Sequence, residues 1–147
     1  MMMIIRKLYF ILLFGFAVPF GVEAKEFLPG PVRAEVVRVV DGDSLVLRAR
    51  IWLGQRVETQ VRINGVDTPE LRGKCDHERR LAKAARTFVL EHLANGGVHL
   101  HDIHYGKYAG RVVARVVLAD GRDLAKALIK AGLGRAYTGG RRRPWCP

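Results

Sequence analysis

Between Arg33 and Ile63 the chain sets three β-rich runs almost end to end, and this constrains the fold more than any other feature. Arg33–Val40 is rich in valine, and Asp41-Gly42-Asp43-Ser44 turns the chain back into a long extended run, Leu45–Leu53. Gly54-Gln55 is a weaker turn. In Arg56–Ile63 the side chains alternate, with Val57, Thr59, Val61 and Ile63 on one face and Arg56, Glu58, Gln60 and Arg62 on the other. A period of two excludes a helix, and turns this short join antiparallel neighbours. The three runs therefore predict a meander with one buried face.

The rest of the chain supplies partners for that sheet. Asp76 is placed to cap a helix whose stripe is Leu81, Ala85, Phe88, Val89 and Leu93, stopped by Asn95-Gly96-Gly97. Val98–His101 reads as a fourth strand and Val112–Leu118 as a fifth, entered through Gly106-Lys107-Tyr108-Ala109-Gly110. In the fifth, Val112, Ala114, Val116 and Leu118 share a face and leave Arg111 and Arg115 opposite. Leu124, Ala127, Leu128 and Ala131 trace a second helix ended by Gly132. Three strands, a helix and two strands suit an α+β, mainly β fold: a five-stranded Greek-key barrel of the OB type with two or three packed helices. With 147 residues and 49% hydrophobic composition, one domain with a modest core is expected, spanning about residues 33–138, with no internal repeat.

Residues 1–24 stand apart. Arg6 and Lys7 precede the apolar run Leu8–Gly21, and Val22-Glu23-Ala24 has the small-x-small spacing of a cleavage site. This predicts an export signal and a periplasmic or secreted protein, residues 25–147. An uncleaved anchor is the competing reading, but the run falls short of the roughly 20 apolar residues of a spanning helix. Without Arg6, Lys7 and Glu23, the chain's 25 basic and 14 acidic residues become 23 and 13, a net +10. So basic a domain favours a polyanionic partner, nucleic acid first and an anionic membrane or cell wall second. No stable protein partner is implied, a monomer is expected, and membrane attachment enters only through an uncut signal.

Two cysteines remain, Cys75 and Cys146. In an exported chain a single long-range disulfide is the natural pairing, tying the tail to the loop after Glu70. Closing a loop of that length contributes roughly 3–4 kcal/mol where the geometry is unstrained. A free or metal-binding pair is the alternative, weakened by the absence of any Cys-x-x-Cys partner.

The chemistry gathers at the exit of the third run, Val61-Arg62-Ile63-Asn64-Gly65-Val66-Asp67-Thr68-Pro69-Glu70. The strand breaks at Asn64-Gly65 and resumes briefly at Val66, and Pro69 stiffens the backbone between two carboxylates. Taken alone, Asp41-Gly42-Asp43 is a tight turn and Asp67-Thr68-Pro69-Glu70 a turn or helix start. Taken together, Asp43 and Asp67 offer two hard oxygen ligands with no Cys or His nearby, a set that selects Ca²⁺ or Mg²⁺ over zinc. Glu70 is placed to hold or deprotonate a water. Arg62 and Arg111 project from the non-core faces of their strands, where each can grip phosphate oxygens in bidentate fashion. Cation, carboxylate base and paired arginines are the parts that phosphodiester hydrolysis requires.

Val40-Asp41-Gly42-Asp43-Ser44, then Arg62 with Val66-Asp67-Thr68-Pro69-Glu70, then Lys107-Tyr108-Ala109-Gly110-Arg111 follow in order the pattern of the thermonuclease, or staphylococcal nuclease, family, which the chain resembles from about Glu35 to Tyr137. The resemblance implies an OB-type barrel and a Ca²⁺-dependent endonuclease acting on DNA or RNA with little sequence preference, cutting the bond to the 5′ oxygen. By it, Asp43 and Asp67 are Ca²⁺ carboxylates and Thr68 lends its backbone carbonyl. Arg62, Glu70 and Arg111 are catalytic, Asp41 orients the cation site from behind, and Lys107, Tyr108 and Tyr137 line the nucleotide pocket. Gly106 stands where the family has an acidic residue, Ala109 is an extra residue before Gly-Arg, and a short, Cys75-containing segment follows Glu70. The alternative from another class is a non-catalytic OB-type nucleic-acid-binding domain, which would not need all five charged groups. Other features have plainer readings: His99 and His101 as an exposed strand face, with His104 completing only a weak metal patch; Arg141-Arg142-Arg143 as a solvated tail or a backbone-tracking one; Trp145 as an anchor for the tail.

Overall fold

The computed structural model describes residues 25–147, so the export signal read over residues 1–24 lies outside the described residues. In chain order the elements are β1 (Phe27–Leu28), β2 (Val32–Val39), β3 (Ser44–Trp52), β4 (Gln55–Ile63), β5 (Gly65–Asp67), α1 (Asp76–Leu93), β6 (Val98–Tyr105), β7 (Arg111–Leu118), α2 (Leu124–Lys130) and β8 (Arg135–Tyr137). The predicted meander is present: β2 pairs antiparallel with β3, and β3 with β4. β6 runs antiparallel to both β2 and β7, and β7 closes the ring by pairing parallel with β4. The result is a closed five-stranded barrel with two helices, mainly β, of the OB type.

Alternation decides which residues fill the barrel. Leu45, Leu47, Val61, Ile63, Val98, Leu100, Ala114 and Val116 point inward and are almost wholly buried. Each fully buried Leu, Ile or Val contributes about 1.5–3 kcal/mol relative to exposure. In the β4–β7 register, Val61 and Ile63 sit opposite Val112 and Ala114, so Gln60 opposes Arg111 and Arg62 opposes Val113. Arg62 and Arg111 therefore leave the barrel on the same outer face of neighbouring strands, two residues out of step. Val57, expected inward, is 44% exposed, because the β3–β4 hairpin overshoots the barrel and leaves Ile51, Trp52 and Leu53 in solvent too.

Several boundaries differ from expectation for local reasons. Cys75, not Asp76, is the N-cap of α1; it caps with no side-chain hydrogen bond, and Asp76 is the first helical residue. The buried face of α1 runs through Glu78, Ala82, Ala85, Val89 and Leu93, with Leu81 and Phe88 only half-buried, so a carboxylate shares the core-facing stripe. β6 continues to Tyr105 because the register shifts between His101 and His104, where Asp102 adopts a positive φ of 54°. There the Asp102 N–H donates to the Pro29 carbonyl at 3.0 Å, and its carboxylate meets Arg115 Nε at 3.1 Å. His99, His101 and His104 are half-buried on this strand rather than exposed. β1 and β8 were not legible as strands: each is short and pairs with only one neighbour, β1 with β6 and β8 with β5. Among the described residues no helix is long and apolar enough to cross a membrane.

Candidate active site

The turn before β3 and the exit of β4 meet at one end of the barrel. The Val40 and Asp41 N–H groups donate to the Ser44 carbonyl, and the Asp43 N–H donates to Asp41 Oδ1 at 3.0 Å, which fixes the turn. Gly42 has to be glycine here: a Cβ would lie 2.8 Å from Thr68 Oγ1 and 2.9 Å from the Ala85 Cβ. Ser44 pairs with Arg62 across β3 and β4, which sets Asp43 beside the arginine. Asp43 is buried and nearly saturated: Oδ1 accepts from Arg62 Nη1 at 2.5 Å and from Ser44 Oγ at 3.2 Å, and Oδ2 accepts from the Thr68 N–H at 3.0 Å. Arg62 Nη2 also donates to the Val66 carbonyl at 3.3 Å and lies 3.6 Å from Asp67 Oδ1.

Asp67 closes the short strand β5, whose partner β8 places Arg135 opposite it. It is 4% exposed, and Trp145 Nε1 donates to its Oδ2 at 3.3 Å. Its Oδ1 is buried and accepts no hydrogen bond among the described residues. Burial raises the Asp67 pKa above the ordinary carboxylate value, and the Asp43 charge adds to this against the lowering effect of Arg142, Trp145 and Arg62. Asp41 is raised as well, by burial first and then by the charges of Asp43 and Glu70. Crowded acids held up in this way mark a place where negative charge accumulates.

Glu70 is exposed on the loop between β5 and α1, and that loop is held from behind. Glu78 takes the Glu70 N–H on Oε1 at 3.3 Å and the Lys74 N–H on Oε2 at 3.1 Å. Gly73 packs so closely on this carboxylate that a Cβ would fall 2.5 Å from its Cδ. The disulfide Cys75–Cys146 then ties the loop to the tail across 71 positions of sequence. The two sulfurs and a Glu78 oxygen lie within 4.8 Å of one another, but the sulfurs are bonded and present no thiolate to a metal. The short segment after Glu70 is therefore a braced one. No motif marks Glu78 in the sequence, and its i, i+4, i+7 relation to Ala82 and Ala85 is the sign that it shares their face.

At its centre the tail is not simply solvated, because Arg142 meets the carboxylates of the cleft. Arg135 donates to the Pro144 carbonyl at 2.9 Å and stacks under Trp145, its Cζ 3.7 Å from the ring centre. Trp145 thus anchors the tail as expected. Between these fixtures Arg142 turns inward, with Nε 2.6 Å from Asp67 Oδ1, Nη2 3.8 Å from Asp43 Oδ2, and Nη1 bonded to Glu70 Oε1. Burial works against the charge on Arg142, yet Glu70, Asp67 and Asp43 raise its pKa. No motif in the sequence marks Arg142 as a site residue. The clue available was the pairing of Cys146 with a cysteine close to Glu70.

Of the residues expected to line a nucleotide pocket, Lys107 and Tyr108 sit at the exposed tip between β6 and β7, closed by Gly106 N–H to the Arg111 carbonyl at 3.0 Å. Tyr108 folds back so that Arg111 Cζ lies 5.1 Å from its ring centre; Tyr137 stands likewise 5.7 Å from Arg62 Cζ. Each of the two strand arginines is thus flanked by a tyrosine face. Arg111 Nε is buried without a hydrogen-bond partner among the described residues, a donor left available to an anion.

The side-chain ligand atoms converging on the cleft are carboxylate oxygens, one of them orphaned, and this fits a hard divalent cation and no softer metal. The chain is thus an OB-type barrel carrying, at one end, an acidic cleft edged by arginines. Residues 60–144 match the family described as staphylococcal nuclease homologue, and the chain belongs to that family. It is also 38% identical over 102 residues to a protein named thermonuclease from Staphylococcus intermedius, an alignment covering 69% of this chain and 57% of the relative. The chain thus spans a little over half the length of that relative.

Proposed function

We propose that the chain is an exported, Ca²⁺-dependent endonuclease that hydrolyses DNA or RNA with little sequence preference, on the 5′-oxygen side of the phosphodiester. One observation carries this reading: Asp43, Asp67 and Glu70 are gathered around a single guanidinium, beside a strand face that presents Arg62 and Arg111. Asp43, Asp67 and the Thr68 carbonyl would hold the cation, with Asp41 bracing the Asp43 backbone from behind. When bound, Ca²⁺ supplies Lewis-acid charge to a phosphate oxygen.

The protein's own groups do the remainder. Glu70, exposed and with its backbone fixed by Glu78, accepts a proton from the attacking water or holds that water in line. Arg62 and Arg111 donate to phosphoryl oxygens as negative charge builds in the transition state, and Arg111 brings an unspent Nε–H to that task. Tyr108, Tyr137 and Lys107 offer faces and charge to bases and flanking phosphates. The net +10 beyond residue 24 provides sequence-independent affinity, which falls steeply with salt.

The purified protein should cut single-stranded DNA and RNA on a gel with Ca²⁺ and stop on addition of chelator. Glu70→Ala and Arg111→Ala should each keep the fold and lose about 10²–10³ in rate. Near-wild-type cleavage by either variant, or cleavage indifferent to chelator, overturns the assignment and leaves a non-catalytic nucleic-acid-binding barrel as the better reading.

A further inference from the structure

We infer that Arg142 is a resident counter-cation of the acidic cleft, a guanidinium the divalent ion has to displace, so that the tail sets the metal affinity of the site. The inference rests on the reading of Asp43, Asp67 and Glu70 as a cation site. Its own basis is that one side chain, drawn from the far end of the sequence, meets all three carboxylates at once.

The placement is built rather than incidental. Cys146, four residues on, is bonded to Cys75; Trp145 is clamped between Arg135 and Asp67; and Tyr137 Oη donates to the Gly140 carbonyl at 2.8 Å on the other side. The chain entering and leaving Arg142 is therefore fixed at both ends, and the side chain reaches the cleft across a few residues only. Its flanking residues Arg141 and Arg143 form no ion pair among the described residues, so general attraction of a basic tail to an acidic hollow does not explain the selection of Arg142.

The contact to Asp67 shows how the exchange is prepared. Arg142 Nε stands 2.6 Å from Oδ1, yet the oxygen accepts no well-directed hydrogen bond. It is neutralised by charge but not saturated by direction, which leaves a lone pair for a metal. Arg62, by contrast, is committed to Asp43 and to the Val66 carbonyl by directed bonds and is not displaced in this exchange. A divalent ion entering among the three carboxylates has to push the Arg142 guanidinium aside, because that group fills the space between them and its charge repels a second cation there. Partly exposed ion pairs of this sort are worth about twofold each in an equilibrium. Three of them lower cation affinity by about tenfold.

The test is calorimetric titration of Ca²⁺ into the metal-stripped, disulfide-intact protein, with thermal unfolding followed in chelator and in Ca²⁺. Arg142→Gln should tighten Ca²⁺ binding by about tenfold, lower the Tm in chelator, and enlarge the rise in Tm that Ca²⁺ produces. Arg142→Lys should restore weaker binding, within about threefold of wild type, while Arg141→Gln and Arg143→Gln should stay within about twofold. Equal or weaker Ca²⁺ binding by Arg142→Gln, or equal tightening by Arg141→Gln, overturns the proposal while the cation site stands. If neither wild type nor Arg142→Gln shows Ca²⁺ heat or a Ca²⁺-dependent Tm, the cation reading itself fails and this proposal with it.

Discussion

The acidic cleft has two walls made in different ways. Asp43, Arg62 and Asp67 stand on or directly beside barrel strands, and register alone brings them together: Ser44 opposes Arg62, and β5 follows Ile63 after a single residue. Glu70 and Arg142 stand on irregular backbone, held by Glu78, by Trp145 and by one covalent bond. The first wall is a consequence of folding the barrel. The second is a strap laid over it, and its geometry depends on a few fixtures that can be removed singly. If this division is correct, substitutions in the strap should change the site while sparing the barrel, and substitutions in the strand wall should damage both.

The largest effect is expected from cutting the strap. Replacing both cysteines, Cys75→Ser/Cys146→Ser, removes a cross-link between positions 71 apart, which the chain-entropy argument values at about 4 kcal/mol. Denaturant unfolding should show that loss, and amide exchange should localise increased opening to residues 70–75 and 139–147, with β2, β3, β4, β6 and β7 keeping their relative protection. A loss of protection at residues 70–75 and 139–147 no larger than the one shared by the barrel strands would erase the distinction between the walls.

A somewhat smaller loss is expected in the strand wall. Arg62 is 13% exposed at its side chain and Asp43 4%, so Arg62→Ala strands a buried carboxylate beside a second one. Breaking a buried pair from one side costs about 3 kcal/mol or more. Arg111→Ala removes a group with no ion pair among the described residues and should be nearly neutral for stability, although both arginines are assigned to phosphate. Urea midpoints of the two variants compared side by side check this. Equal midpoints would mean that the two strand arginines carry the same structural weight.

The same division explains what could be read from the sequence. The barrel and its wall were legible because alternation in Arg56–Ile63 and Val112–Leu118 fixes which side chains leave the core, and the positions of Arg62 and Arg111 follow. Val57 broke the pattern because alternation gives the face of a strand but not how far its hairpin outruns the barrel. Of the strap, the cysteine pair, Glu70 and the anchoring Trp145 were legible, and the inward turn of Arg142 was not. Arg142 reads as one of three adjacent arginines, and only the three-dimensional path from β8 to Cys146 separates it from Arg141 and Arg143. Glu78 stands in the first turn of α1, where acidic residues are usual, and that the helix turns it toward the loop depends on where Gly73 and the Glu70 N–H lie.

The smallest effect sharpens the comparison by its sign. Asp41 sits behind the strand wall with its carboxyl raised by burial and by the charges of Asp43 and Glu70. A group with a raised folded-state pKa is more easily ionised in the unfolded chain, so its ionised form lowers stability. That penalty is complete above the folded pKa and vanishes as pH falls below the ordinary carboxylate value. Asp41→Asn keeps an oxygen for the Asp43 N–H while removing the charge. In chelator at pH 7 it should therefore raise the Tm by about 2 °C, the scale of a few tenths of a kcal/mol in a domain this size. The gain should close on acidification toward pH 3.8, where the Asp41 of the unfolded chain also becomes protonated. A gain that persists at low pH would point to altered packing around Gly42 rather than to relief of charge. A loss at pH 7 would mean that the Asp41 charge supports the turn before β3, and that even the register-made wall depends on an electrostatic brace.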